Sequence, residues 1–220
     1  MIHAEQRATL VSICQNLAQK GYLAGTGGNI MVRVGIDEVL VTPSAKDYHT
    51  LESSDICVLS LSDLSIIEGN AKPSVESAMH AVILRQRADI AVSIHTHQPL
   101  TSACSLLDID LDLNDHQKQL LGSTVVPIHY APSGTSLLAS KVKRAISPDS
   151  NAYLLKNHGV ICLGKTFSAA IEALDTLEYI ALASLRKSLQ QQLTCNTKNE
   201  PHNRELVRDL LAITRMEAEA

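Results

Sequence analysis

Apolar residues recur along this chain in two rhythms, and the places where one gives way to the other predict its elements. Over residues 5–20, Leu10, Ile13, Cys14 and Leu17 return at the spacing of one helix face, and Gly21 follows as a C-terminal stop. β-Branched runs then predict strands over residues 30–34 and 38–42, paired as a hairpin, and over 55–61, with Pro43 ending the second and a loop around Glu68-Gly69-Asn70. A second helix starts at Pro73-Ser74-Val75-Glu76 with Ser74 as its N-cap and runs through Met79, Val82 and Ile83 to Arg87. The run from Asp89 to Ile94 is a strand that carries His95 and His97 at its end. A helix is predicted over 99–107, a short strand over 125–128, a helix over 135–146 and a strand over 152–155 that leads into Asn157-His158-Gly159. Residues 108–122 alternate aspartate with aliphatics and favour no element. The longest helix spans 168–191, with Ile171, Leu174, Leu177, Ala181 and Leu185 on one face; a polar linker over 194–203 and a final helix over 204–216 complete the chain. Strands that come both as hairpins and between helices predict a mixed or largely antiparallel sheet covered by helices.

Composition narrows the partners. At 220 residues and 45% hydrophobic the chain can bury one sizeable core, which we take as a single domain over residues 1–220. Its charge of −4 is spread without a basic block, which argues against nucleic acid and anionic membrane and leaves a small molecule as the expected partner. No apolar run approaches the roughly 18–20 residues that span a bilayer, and the first residues lack a charged-then-apolar leader pattern, so a cytoplasmic location is expected. Five scattered cysteines, none in a CxxC arrangement, read as small core residues.

The candidate chemistry starts from His95-Thr96-His97. On a strand, residues i and i+2 face the same way roughly 6–7 Å apart, so two imidazoles would project together as half of a metal site. Alone, the pair reads equally as two hydrogen-bonded histidines near a turn. Glu76, in the first turn of the helix before this strand, and His158, where another strand ends, would complete a three-histidine and one-carboxylate set. Each also has an ordinary reading, Glu76 as a carboxylate favoured by the helix dipole and His158 as a turn residue. Together they suit a catalytic divalent ion that keeps a position open for substrate.

Five motifs in order, Gly25-Thr26-Gly27-Gly28-Asn29-Ile30, Val41-Thr42-Pro43-Ser44, Lys72-Pro73-Ser74-Val75-Glu76, His95-Thr96-His97 and Asn157-His158-Gly159, resemble the successive signatures of the class II aldolase/adducin family, nearest to its fuculose-phosphate aldolase branch. The resemblance implies an α/β fold, a three-layer αβα sandwich with a mixed, largely antiparallel central sheet. It implies that His95, His97 and His158 bind Zn2+ or another divalent metal, and that Glu76 is a ligand in the resting site and the proton-transfer residue in turnover. Gly28, Asn29, Ser44 and Ser74 match the positions that hold the substrate phosphate, which suits a glycine-rich turn with exposed amides. The implied activity is cleavage of a small ketose 1-phosphate to dihydroxyacetone phosphate and a short aldehyde through a zinc-stabilised enediolate, in a homotetramer acting on a sugar phosphate. Epimerisation, dehydration or decarboxylation at the same metal site is the alternative, and a non-catalytic adducin-like module is a third.

The chain departs from the branch pattern in places that bear on substrate. Val75 stands where a second serine is common, and Ala45 where glycine is frequent. The tyrosine that protonates the leaving part falls, counting back from Val126-Pro127, at His116, whose imidazole can do the same acid work or can be a surface group beside Asp115. No tyrosine follows Tyr179, so the branch's C-terminal tyrosine has no counterpart. His80 lies one helical turn after Glu76 and reads as structural, and His3, His49, His129 and His202 belong to no constellation.

Overall fold

A computed structural model describes residues 1–195 of the chain. The alternating runs form β1 (Asn29–Arg33), β2 (Glu38–Val41), β3 (Cys57–Ser60), β4 (Ile66–Glu68), β5 (Val92–Thr96), β6 (Val126–Ile128), β7 (Ala152–Leu155) and β8 (Gly159–Gly164). They make one sheet in the order β4-β3-β2-β1-β5-β8-β7-β6. Neighbours are antiparallel except β6 and β7, which run parallel. The 3.6-period stretches form α1 (Ala4–Gln19), α2 (Ser77–Gln86), α3 (Pro99–Leu106), α4 (Asp115–Leu121), α5 (Ser136–Ala145) and α6 (Phe167–Cys195).

The period of two sorts the strand side chains into two cores. Ile30, Val32, Leu40, Val58, Val92, Ile94, Val160 and Cys162 pack with Leu10, Cys14 and Leu17 of α1, Leu121 of α4 and Leu174 and Leu177 of α6. Their odd-parity neighbours Met31, Val39, Val41, Leu59, Ile161 and Leu163 pack with Met79 and Ile83 of α2 and Leu138 and Val142 of α5. Helices therefore cover both faces of a mixed, mostly antiparallel sheet, the three-layer α/β arrangement that the motifs imply. Because the core is aliphatic, each fully buried leucine or isoleucine stabilises it by about 1.5–3 kcal/mol.

Several elements differ from the periodicity reading. Ile66–Glu68, expected to approach a loop, forms the edge strand β4, short and with Ile66 and Ile67 exposed, so its side chains carry no burial pattern to read. Within the unassigned 108–122 segment, Asn114 caps α4 by accepting from the Gln117 N–H while the Gln117 side chain returns to the Asn114 N–H. Ser74 is not the N-cap of α2. Glu76 holds that position, and Ser74 lies in the preceding turn, its carbonyl accepting from the Ser77 N–H and hydroxyl. Thr194 and Cys195, expected to start the linker, are helical; the rest of that linker and the final helix lie outside the described residues. No described helix is long and apolar enough to cross a membrane.

For the site, the key element is β5, which lies between β1 and β8. Register pairs His95 with Asn29 on one side and with Ile161 on the other. Since Val92 and Ile94 point into the α1/α6 core, Ser93 and His95 point to the α2 face.

Candidate metal centre

Three strand ends and one helix start converge on this face. β5 brings His95, which is fully buried, and the chain just beyond it brings His97. The tight turn between β7 and β8 brings His158; Asn157 there takes φ +56°, a conformation asparagine tolerates. Glu76, 4% exposed, comes from the start of α2, with its carboxylate turned away from the helix N–H groups and into the cluster. Gly159 is required here, because a Cβ at that position would lie 2.4 Å from the Thr96 carbonyl oxygen and 2.7 Å from the His97 ring. Gly28 meets the same limit, with φ +80° and a position for Cβ only 2.8 Å from the His95 carbonyl oxygen.

The donor atoms lie at coordination spacing. One nitrogen from each of His95, His97 and His158 falls within 4.8 Å of the others. His97 Nε2 is 3.1 Å from His95 Nε2, Glu76 Oε2 is 3.4 Å from His95 Nε2, and Glu76 Oε1 is 3.3 Å from His158 Nε2. Ligands about 2.0–2.1 Å from one tetrahedral ion are separated by roughly 3.3 Å, so these edges fit a single small dication. Protonation fits as well. His95 Nδ1 donates to the Val160 carbonyl at 2.8 Å, which leaves its Nε2 lone pair facing the cluster. Buried His158 Nδ1 has no hydrogen-bond partner among the described residues.

Burial keeps His95 and His97 neutral, and the surroundings of Glu76 keep its carboxylate charged. Burial pushes His95 down to about 3, against the pull of Glu76, and burial together with neighbouring His158 lowers His97. Burial opposes ionisation of Glu76, but His95, the Asn29 and Ser133 hydrogen bonds and His158 outweigh it and bring the carboxyl down to about 2. The Asn29 amide donates to Glu76 Oε2 at 2.8 Å and the Ser133 hydroxyl to Oε1 at 2.8 Å. At neutral pH Glu76 is thus an anion beside the neutral rings of His95 and His97, which suits a divalent cation.

The other expected site residues fall at graded distances from this cluster. Asn29 touches Glu76 directly, and Ser74 accepts from the Glu76 N–H at 3.2 Å. Gly28 precedes Asn29, and its carbonyl accepts from the buried Tyr48 hydroxyl at 2.6 Å. Ser44 lies on the adjoining rung: its N–H donates to the Lys72 carbonyl while the Ser74 N–H donates to that of Thr42, so the two loops run side by side. His116 is elsewhere. It is exposed on α4, whose Leu121 packs into the α1/α6 core on the opposite face of the sheet, and within this chain it does not reach Glu76. Ser133 was not singled out by sequence, since a serine in an Ala-Pro-Ser-Gly loop carries no periodic signal.

The loop departure at Ala45 has a visible consequence: it sits at φ +55°, in the left-handed region that favours glycine. Ala45→Gly is expected to raise stability by about 0.5–1 kcal/mol, relief of about 1–2 kcal/mol of local strain less the entropy of a more flexible unfolded chain. Urea unfolding of the two proteins measures it.

A buried glutamate and three histidines at coordination spacing, beside two polar loops on a mostly antiparallel sheet, form a candidate metal site, and the chain belongs to the class II aldolase and adducin N-terminal domain family, whose profile matches residues 8–185. Among its curated relatives is the L-fuculose phosphate aldolase of Methanocaldococcus jannaschii, 31% identical over 175 residues that cover 80% of this chain and 93% of that protein. The methylthioribulose-1-phosphate dehydratase of Pectobacterium atrosepticum is 29% identical over 201 residues, covering 86% and 98%. Among solved structures, an L-fuculose 1-phosphate aldolase superposes with a TM-score of 0.77 at 25% identity, covering 96% of this chain and 98% of that one.

Proposed function

We propose that this protein is a zinc-dependent aldolase that cleaves a small ketose 1-phosphate to dihydroxyacetone phosphate and a short aldehyde. The observation that carries the reading is the buried, ionised Glu76 beside three imidazoles at coordination spacing. His95, His97, His158 and Glu76 would hold the dication. A cation there supplies Lewis-acid stabilisation of the negative charge that builds on the substrate oxygens, worth several kcal/mol.

The remaining chemistry belongs to the side chains. Cleavage breaks the carbon–carbon bond beyond the carbinol next to the keto group. The electron pair passes to an enediolate, the departing carbinol gives its hydroxyl proton to the Glu76 carboxylate and becomes the aldehyde, and Glu76 then delivers that proton to the enediolate carbon. In the condensation direction Glu76 removes that proton. Asn29 and the Ser44 and Ser74 loops, beside Gly28, orient the phosphate end. A role for His116 at the aldehyde oxygen requires a neighbouring copy of the chain to bring α4 to the cluster, as a homotetramer with a shared site would.

Similarity to a methylthioribulose-1-phosphate dehydratase favours a second reading, in which the same proton transfer ends in loss of water. The deciding experiment follows dihydroxyacetone phosphate consumption in a coupled assay, with zinc-loaded protein, a panel of short aldehydes, and chelator added or omitted. Consumption that chelator abolishes and zinc restores is expected, and the preferred aldehyde identifies the substrate. No consumption with zinc demonstrably bound overturns the aldolase reading and directs the search to dehydration of ketose 1-phosphates.

A further inference from the structure

Behind the metal ligands lies a chain of hydrogen bonds that neither the ligand set nor the phosphate loops require. The Ser93 hydroxyl is 2.7 Å from His80 Nδ1, His80 Nε2 is 2.6 Å from Asn29 Oδ1, and Asn29 Nδ2 is 2.8 Å from Glu76 Oε2. His80 and Ser93 are both fully buried.

The direction of every link follows from its last member. An ionised carboxylate only accepts, so the Asn29 NH2 group must face Glu76. Asn29 Oδ1 then faces His80, and His80 must carry its proton on Nε2 to donate to it. His80 Nδ1 is left bare and accepts from the Ser93 hydroxyl. Donation therefore runs one way, from Ser93 through His80 and Asn29 to Glu76.

From this order we infer that His80 is a positioning residue: it holds the Asn29 amide so that donors, and no acceptor, face Glu76 and the ligand-binding space beside it. Without such a partner the amide has two orientations, and the flipped one would set Oδ1 against the Glu76 carboxylate. Among the described residues Glu76 alone accepts from the Asn29 NH2 group, whose second hydrogen is then free for an anionic substrate oxygen. The relay also ties α2, β5 and β1 together at the point where their ligands meet, since His80 follows Glu76 by one helical turn and Ser93 precedes His95 by two residues on β5. The effect on metal affinity rests on the proposed metal-dependent reading; the amide orientation does not.

Three variants and two readouts test it. Zinc affinity is measured by competition with a chromogenic chelator for the wild type, His80→Leu, His80→Gln and Ser93→Ala. Histidine tautomers are read from 15N shifts of the labelled wild type without metal. Wild type is expected to show His80 protonated on Nε2. His80→Leu is expected to weaken zinc binding about 10–100-fold, as loss of a partner behind the ligand shell does. His80→Gln, whose amide can return a donor to Asn29, should recover most of that affinity, and Ser93→Ala should fall between. A His80 proton found on Nδ1 overturns the inference. So does His80→Leu with wild-type affinity, or leucine and glutamine variants weakened equally and in proportion to a drop in Tm, which marks general packing. Failure of the wild type to bind zinc overturns the metal-centre reading instead, and the tautomer still decides the orientation of Asn29.

Discussion

Glu76→Gln is expected to lower kcat for dihydroxyacetone phosphate turnover by about 10²–10⁴-fold, the usual loss when a positioned proton-transfer group is removed. The fold should tolerate the change, because the two partners of the carboxylate can accommodate an amide. The Asn29 NH2 group can donate to the new amide oxygen as it now donates to Oε2, and the Ser133 hydroxyl can turn from donor to acceptor. What is lost is the charge and the basic lone pair. Zinc binding should weaken as well, so kcat is measured at saturating zinc and Tm is recorded beside it. A variant within about threefold of wild type at equal zinc occupancy would remove Glu76 from the proton transfer.

The second large effect concerns pH in the metal-free protein. His95 and His80 are fully buried, and burial holds them at about 3 and about 4, well below the value of about 6.5 that each histidine takes in the unfolded chain. Below pH 6.5 the unfolded chain therefore takes up protons that the folded protein refuses, and stability falls as pH falls. Two such protons set a slope approaching about 2–3 kcal/mol per pH unit between pH 6 and 4, and the lowered His97 adds in the same direction. Glu76 at about 2 continues the loss below the ordinary carboxylate range. Urea unfolding of the apoprotein from pH 7.5 down to 4.5 checks this. A free energy of unfolding that stays level across that range would mean the buried imidazoles accept protons without cost.

Much of the centre was legible from residues alone, for reasons that differ from one residue to the next. His95 and His97 could be placed together because strand parity is a property of the backbone, and β5 obeys it although it ends at Thr96. Glu76 and His158 stand out at a helix start and a strand end, but their convergence depends on the order β1-β5-β8, which local pattern cannot supply. His80 shows the same limit. Its spacing from Glu76 is plain on a helix, but its partner Asn29 lies 51 residues away, and only the sheet register brings the two together. Ser133 had no signal, and β4 had too little burial to leave one. The position of His116 along the chain carries no information about which face of the sheet α4 covers.

The order of the strands has a consequence for how the protein matures. Glu76 meets Asn29 at a separation of 47 positions along the chain, and His95 meets Val160 at 65. Both closures are long loops whose entropy is spent before their contacts form, so β1 and β8 are expected to dock on β5 late in folding. An emerging chain owns Glu76 first and then His95 and His97, well before it owns His158. The candidate site is assembled only when the sheet is complete, so an ion bound there would act mainly to slow unfolding rather than to hasten folding.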